Sequence, residues 1–292
     1  MDPLALRPAQ GGREAVTGTL FVVATPIGNL EDITLRALRI LKEVALVAAE
    51  DTRRTGNLLR HYQIDTPLVS LHEHNEHRRI PPLVGRLRDG QSIAIVSDAG
   101  TPGISDPGAR LVRAARDAGV RVNPIPGPSA VTAILSASGL SFERFAFAGF
   151  PPVRSKDRKK WFGWVKSLSD LPVVCFEAPH RITRFLRDAH SQLAGRPILL
   201  ARELTKIHEE WLVGSAEVPE RGEFVIVFGQ LTESGKPSSE PSEAEAVSLF
   251  GRITEQAEFS SRREAVKAVA EQLGIPVRVV YNALERVKKQ PA

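Results

Sequence analysis

The sequence predicts an α/β protein of two αβα domains with a cleft between them, followed by a small helical domain. Short apolar runs alternate with helix-like segments over residues 19–127, which favours a parallel sheet with helices on both faces. A second series of apolar runs over residues 145–228 ends in closely spaced strands that are typical of antiparallel pairing. The predicted division is a flexible tail at 1–18, domains at 19–127 and 128–232, a linker at 233–243 and a helix-turn-helix-like domain at 244–292.

Composition limits the class of protein. The chain has 292 residues, 42% of them hydrophobic, which is enough for a packed core. Cys175 is the single cysteine, so an internal disulfide framework is excluded and a reducing compartment is indicated. The net charge of +5 is compatible with a nucleic acid partner without requiring one. No apolar run approaches the ~18 residues of a membrane span, and the N-terminal tail lacks a signal-peptide pattern. We therefore expect a cytoplasmic protein with no membrane partner.

In the first domain each apolar run ends in a loop and is followed by a helix-like segment. Asp32 is predicted to cap the first helix, and another helix is expected around 83–88. The predicted strands are 20–24, 44–49, 68–71, 93–96 and 120–122.

The second domain is predicted to begin with a half-buried strand at 145–150, where apolar residues alternate with period two. The remaining strands are expected at 171–176, 197–200, 211–213 and 224–228.

Beyond a linker rich in serine and proline lies a helical segment. Ser261 and Glu264 form a capping-box pattern, Gly274 is placed to end that helix, and Pro276 to begin the next. Two short helices across such a turn resemble a helix-turn-helix, but a helical cap or a dimerisation appendage fits the pattern equally well.

The loop at 97–108 (SDAGTPGISDPG) is the segment around which the first domain is organised. It is longer than the usual ~2–6-residue βα connection, and its glycines and prolines allow a ligand to approach the backbone closely. An ordinary turn with solvated aspartates is the alternative. Because ligands bind at the carboxyl ends of strands in open α/β sheets, we predict a binding loop.

Several kinds of site are disfavoured. No G-x-G-x-x-G follows the first strand and no P-loop is present, which argues against dinucleotide and Mg-nucleotide sites. His72, His74 and His77 match no zinc spacing, so solvated or hydrogen-bonded histidines are favoured over a metal centre, and we expect no metal.

Basic and aromatic residues are interleaved over residues 154–166. Cationic side chains neutralise phosphates and aromatic rings stack on unpaired bases, so this segment indicates nucleic acid binding. A solvated helix with inward-packed tryptophans explains the pattern equally well. Ionisable clusters at 177–181 and 202–210 follow two strands and are either surface ion pairs or a wall of the site.

Five motifs together resemble one family. They are 25–30 (TPIGNL), 49–53 (AEDTR), the loop at 97–108, 126–130 (PGPSA) and 201–206 (ARELTK), and they stand in the family's order. The family is that of the bacterial 16S ribosomal RNA 2′-O-ribose cytidine methyltransferases, within the tetrapyrrole-methylase fold superfamily. The resemblance covers about residues 19–229, and the C-terminal segment is similar to a helix-turn-helix domain often appended there.

The resemblance implies S-adenosylmethionine as methyl donor, bound between the two α/β domains. It also implies a homodimer and a cytidine ribose of the decoding centre as acceptor, with the RNA either naked or within the assembled small ribosomal subunit. Carried over by motif position, the residues that would contact the cofactor are Pro26, Asp98, Thr101, Ile104, Ser129, Ala130, Phe176, Leu204 and Phe224.

For catalysis the resemblance favours Asp51 as general base, with Arg53 and Lys206 holding the phosphate or ribose of the acceptor. Asp51 is equally well placed to cap the following helix. One departure from the family is the short segment 215–221, where the family usually has a longer insert.

Three other functions are alternatives to the ribosomal RNA methyltransferase hypothesis. The first is a tetrapyrrole methyltransferase of the same fold, which the basic segment disfavours. The second is a non-catalytic, ribosome-associated RNA-binding protein, which the cofactor motifs disfavour. A metal hydrolase built on the three histidines is the most remote.

Overall fold

A computed structural model describes residues 17–213, 218–231, 249–250, 254, 261–273, 277–278, 280–281 and 284. Within these residues the chain forms two five-stranded sheets with helices packed against them. The predicted α/β class is confirmed. The predicted domain boundaries stay predictions, and most of the tail and the linker lie outside the described residues.

All five strands of the first sheet are parallel, in the order β3-β2-β4-β1-β5. Their bounds are β1 Thr19–Val23, β2 Leu46–Ala49, β3 Leu68–Ser70, β4 Ile93–Val96 and β5 Arg121–Ile125. The central strands β2 and β4 are buried along their whole length, as expected for a parallel sheet covered on both faces. Every strand therefore ends at the same edge, and the loops that follow meet there.

Helices cover both faces of the first sheet. The helices are α1 Leu35–Glu43, α2 Thr52–His61, α3 Glu76–Arg88 and α4 Ala109–Asp117. One core cluster joins α1 and α2 to the sheet through residues such as Leu41 and Leu59. A separate cluster joins α3 and α4 through Leu87 and Leu111. The arrangement is an αβα sandwich.

The second sheet has the order β6-β7-β10-β8-β9, in which only β6 and β7 are parallel. Its strands are β6 Ala146–Phe147, β7 Val173–Glu177, β8 Ile198–Arg202, β9 Glu210–Val213 and β10 Phe224–Phe228. Helix α5 (Ala130–Ala137) packs on one face, and α6 (Ser155–Ser167) and α7 (Ile182–Gln192) pack on the other. The last two strands are antiparallel to their neighbours, as predicted, but they do not form a hairpin, because β8 lies between β9 and β10.

Several predicted boundaries are wrong. Asp32 does not cap α1: it ends a short 3-10 turn, and the side chain of Thr34 accepts the Ala37 N–H instead. Helix α3 begins seven residues before the predicted 83. The prediction was too short because Pro81 and Pro82 lie inside the helix, and proline normally marks a helix interruption. The predicted strand at 145–150 shortens to two residues.

The C-terminal segment contains helix α8 (Arg262–Leu273). Its predicted cap is present, because the Glu264 N–H donates to Ser261 Oγ at 3.3 Å. Val266 and Val269 pack with Val280 and Leu284 in a small separate core. Gly274 and Pro276, on which the predicted turn depends, lie outside the described residues.

Arg196 joins one end of the second sheet to the end of helix α6. The side chain is 5% exposed, and its guanidinium donates to five backbone carbonyls. These belong to Val165 and Leu168 at the end of α6, to Leu171, and to Phe228 and Gly229 at the end of β10. Burial lowers the pKa of Arg196 to about 10, so it stays charged at neutral pH.

We expect Arg196→Met to destabilise the protein by about 3 kcal/mol, because several buried carbonyls lose a charged donor. Urea denaturation of the full chain measures this, with Arg187→Met on the exposed side of α7 as the matched control. Equal stability of the two variants would contradict the role given to Arg196.

Candidate functional site

A cavity of about 390 Å³ lies between the two sheets. From the first sheet it is lined by the loops after β1, β4 and β5, which include Ile27 and the segment 98–106. From the second sheet it receives Phe176 of β7, Leu204 after β8 and Phe224 at the start of β10. Its position at the carboxyl ends of parallel strands is where α/β sheets bind ligands.

Backbone hydrogen bonds fix the loops on the first-sheet side. Thr25 and Gly100 exchange N–H···O=C bonds of 2.9 and 3.0 Å, which ties the loop after β1 to the loop after β4. The buried Thr25 hydroxyl also donates to the Ser97 carbonyl at 3.2 Å. Gly100 has φ +74, a conformation that glycine adopts without strain. The loop that the sequence singled out is therefore a fixed wall of the cavity.

The second-sheet side of the cavity carries three phenylalanine rings, those of Phe150, Phe176 and Phe224. The ring of Phe176 lies 5.1 Å from Phe147 and 5.5 Å from Phe150, in tilted or edge-on geometry. Phe150 is 56% exposed, so its ring is available to a ligand. Such a wall suits a flat aromatic group such as a nucleobase.

Helix α5 begins at the cavity. Ser129 precedes its first turn in an extended conformation, and Ser129, Ala130 and Val131 all line the cavity. Free N–H groups and the helix dipole make such a terminus favourable for a carboxylate. The cavity thus offers an apolar wall on one side and polar backbone on the other.

Eight of the nine residues predicted to contact the cofactor line this one cavity. The exception is Pro26, whose neighbour Ile27 lines it instead. Residues from five different segments of the sequence therefore meet in one place, as the motif positions required.

The sequence matches the family model described as Tetrapyrrole (Corrin/Porphyrin) Methylases over residues 19–219. The chain belongs to the tetrapyrrole methylase family. That match covers the whole first sheet and the strands β6 to β9 of the second, while β10 lies just beyond it.

Within this family its relatives are proteins named ribosomal RNA small subunit methyltransferase I. The protein of Synechocystis sp. is 43% identical over 91% of this chain and 96% of its own length. The protein of Pseudomonas aeruginosa is 43% identical over 93% of this chain and 99% of its own length. The family resemblance drawn from the motifs is confirmed.

Solved structures of tetrapyrrole methylase type share the fold. Diphthine synthase superposes with a TM-score of 0.58 at 16% identity, covering 73% of this chain and 90% of that one. The uroporphyrin-III-C-methyltransferase from Thermus thermophilus gives a TM-score of 0.51 at 22% identity, covering 80% and 98%. At these identities the likeness concerns the fold alone.

Asp51 is the N-cap of α2 and is bound to Arg53. Its Oδ1 accepts the Arg53 backbone N–H at 2.8 Å and Nε at 3.1 Å, and its Oδ2 accepts Nη2 at 2.7 Å. The Arg53 side chain and backbone N–H hold the pKa of Asp51 well below its usual range. A carboxylate in this state binds a proton weakly, which weighs against its predicted role as general base.

Lys206 lies at the contact between the two halves of the protein. Its ammonium contacts Glu203 Oε1 and Glu223 Oε2, each at 3.0 Å. Burial lowers the pKa of Lys206, but these two hydrogen bonds outweigh that effect and leave the pKa raised. Lys206 is therefore a cation held beside the cavity through Glu223, which lines it.

Arg54 is a lining residue that the sequence analysis missed. Its Nη1 lies 3.4 Å from Asp98 Oδ2, and its position directly after the 49–53 motif was the available signal. Glu177 also lines the cavity, so the ionisable cluster at 177–181 contributes to the cavity wall, which was one of its two predicted roles. The buried Glu177 accepts from Arg181 at 2.9 Å, and burial raises its pKa.

Two absences are limited to the described residues. Among them, no group of three or more His, Cys, Asp and Glu side chains is arranged to hold a metal ion. Over that same part of the chain, no helix has the length and apolar character needed to cross a membrane.

We expect Gly28→Ala to weaken binding of S-adenosylmethionine about tenfold, because a side chain there overpacks the contact between the two halves. A Cβ on Gly28 would lie 2.5 Å from Lys206 Cγ and 3.0 Å from the Leu204 carbonyl oxygen. Isothermal titration calorimetry measures the change. Gly85→Ala is the control, since a Cβ there meets nothing within 4 Å. Equal affinities for the two variants would contradict this coupling.

Proposed function

We propose that this protein is an S-adenosylmethionine-dependent methyltransferase that acts on ribosomal RNA of the small subunit. The observation that carries the proposal is the cavity between the sheets, where eight of the nine residues expected at the cofactor converge. At the finer level, we propose that it methylates the 2′-hydroxyl of a cytidine ribose in the decoding centre, as the motif resemblance implies. This location and base identity are part of the proposal.

The cavity fits the methyl donor by size and by chemistry. Its volume of about 390 Å³ is within the usual range for small-molecule sites, roughly 300–1,000 Å³. Phe176, Phe224 and Leu204 would hold the adenosine, and the N-terminus of α5 suits the carboxylate of the methionine part. When bound, the cofactor supplies an electrophilic methyl group on a sulfonium.

The outer face of the second sheet supports RNA as the acceptor. Helix α6 carries five exposed cations in or next to it, namely Arg154, Lys156, Lys159, Lys160 and Lys166. Arg158 is different, because it is buried and paired with Asp188 at 2.6 Å. Trp161 packs against Phe162 and Phe185, whereas Trp164 is 44% exposed. Exposed cations beside an exposed indole suit phosphates and unpaired bases.

The alternative acceptor is a tetrapyrrole. The cobalt precorrin-4 methyltransferase of cobalamin biosynthesis shares the fold with a TM-score of 0.55 at 12% identity. A tetrapyrrole has no phosphate backbone and gives no reason for the basic face of α6. The names of the relatives also favour ribosomal RNA.

For the acceptor we propose that Asp51 and Arg53 act as a unit. The Arg53 side chain is 89% exposed and oriented by Asp51, so it can hold a phosphate or ribose beside the cavity. Lys206, which Glu223 holds beside the cavity, would also hold the phosphate or ribose of the acceptor. We further propose that the protein is cytoplasmic and forms a homodimer. Light scattering on the purified protein tests the dimer.

The direct test incubates the purified protein with methyl-labelled S-adenosylmethionine and small ribosomal subunits that lack ribose methylation. We expect label on a single cytidine ribose, located by nuclease digestion and mass spectrometry. Cofactor binding without labelled RNA would contradict the proposed acceptor and make tetrapyrroles the next substrates to assay. Absence of cofactor binding would contradict the methyltransferase itself and favour a non-catalytic RNA-binding protein.

Reversing charge on α6 tests the RNA face. For Lys159→Glu with Lys160→Glu we expect KM for small subunits to rise about tenfold or more and its dependence on salt to weaken, because phosphate contacts are lost. Affinity for S-adenosylmethionine should not change. The matched control reverses Lys42 and Arg113, exposed cations on helices of the first sheet. An equal rise in KM for both double variants would show a general charge effect and contradict a specific RNA face.

A further inference from the structure

A second cavity, of about 520 Å³, shares a wall with the cofactor cavity. Ser105 and Asp106 line both. The wall is the far end of the 97–108 loop, so the Asp106 side chain lies where the two spaces meet. The second cavity is also lined by the charged or imidazole side chains of Glu50, His72, His74, Glu76 and Arg110.

The backbone holds this wall in a constrained shape. Ser105 has φ +65, a left-handed conformation that is strained for a residue with a side chain. Gly108 has φ +121, and a Cβ there would lie 2.6 Å from Ile95 Cδ1. The Gly108 N–H donates at 3.0 Å to Oε1 of Glu76, a carboxylate that is 4% exposed. Asp106 is thus fixed between a strained residue and an anchored glycine.

The surroundings of Asp106 make its carboxylate a stronger base than that of Asp51. Burial and the negative charges of Glu50 and Asp98 raise the pKa of Asp106 to about 6, despite a hydrogen bond from Ser97. The cations nearby are partly engaged elsewhere, since Arg54 contacts Asp98 and Arg110 contacts Glu76 at 3.7 Å. His72 faces the second cavity, and its buried Nδ1 has no protein partner.

We propose that Asp106 is a catalytic residue of the methyl transfer and takes the proton of the acceptor hydroxyl, which enters through the second cavity. This inference rests on the proposed function. As the ribose oxygen bonds to the methyl carbon, the sulfur–methyl bond breaks and its electron pair stays on sulfur. The hydroxyl proton passes to the Asp106 carboxylate. The sulfur thereby loses its positive charge and the carboxylate its negative charge, so the step balances. Asp51, bound to Arg53, positions the acceptor and takes no proton.

The test measures single-turnover methylation of unmethylated small subunits against pH, at saturating S-adenosylmethionine, for the wild type, Asp106→Asn and Asp51→Asn. The wild-type rate should fall tenfold per pH unit below about pH 6, where Asp106 becomes protonated. At this saturating cofactor concentration, Asp106→Asn should lose at least about 100-fold in rate and should lack the acidic limb, which is the fall in rate below pH 6. Asp51→Asn should keep the acidic limb while its KM for subunits rises.

Thermal stability provides a second readout that distinguishes catalysis from structural damage. The raised pKa means that folding favours protonated Asp106, so the charged carboxylate opposes folding at pH 8. Asp106→Asn should therefore raise Tm at pH 8, and the difference should shrink at pH 5, where the wild-type group is already neutral. A variant that is more stable yet inactive supports the proposal.

Two results overturn it. An Asp106→Asn variant that methylates at the wild-type rate with the same pH profile would show that another group takes the proton. Loss of the acidic limb in Asp51→Asn would identify Asp51 as that group. Failure of the proposed function looks different, because the wild type would then label no RNA at any pH.

Discussion

The pair of backbone hydrogen bonds between Thr25 and Gly100 is the contact on which the site depends. It joins the loops that follow β1 and β4, two neighbouring strands whose parallel pairing brings their carboxyl ends together. Because Gly100 is fixed there, the following residues turn back along the sheet edge and form the wall that carries Thr101, Ile104 and Asp106. The second sheet then closes this edge with aromatic side chains. A rigid polar loop against an aromatic wall is the physical basis of the proposed cofactor site.

The 97–108 loop is locally destabilised at the residues for which chemistry is proposed. Ser105 is strained, and Asp106 lies near Glu50 and Asp98, whose negative charges disfavour its ionisation. Such features persist only where surrounding structure holds them, and here Glu76 and Ile95 hold the loop on the side of the first sheet. Asp51 shows the opposite arrangement, because the cation beside it stabilises its charge. The contrast separates a carboxylate suited to accept a proton from one suited to orient a partner.

Much of this could be predicted from the sequence because the signals are local. Apolar runs located all ten strands to within about three residues, and eight of the nine residues expected at the cofactor line one cavity. Other features depend on contacts between distant segments. Gly28 contacts Lys206 only after the two sheets pack. Arg196 can donate to its five backbone carbonyls only when α6 and β10 are in place. The choice between Asp51 and Asp106 likewise follows from neighbours that no spacing rule brings together.

Hydrogen–deuterium exchange of the full chain, with and without S-adenosylhomocysteine, tests most directly whether both sheets hold one ligand. Exchange should slow on binding in the 97–108 loop and, at the same occupancy, around Phe176, Leu204 and Phe224. Protection confined to the loops of one sheet, or protection absent from both at saturating ligand, would contradict a cofactor site formed between them.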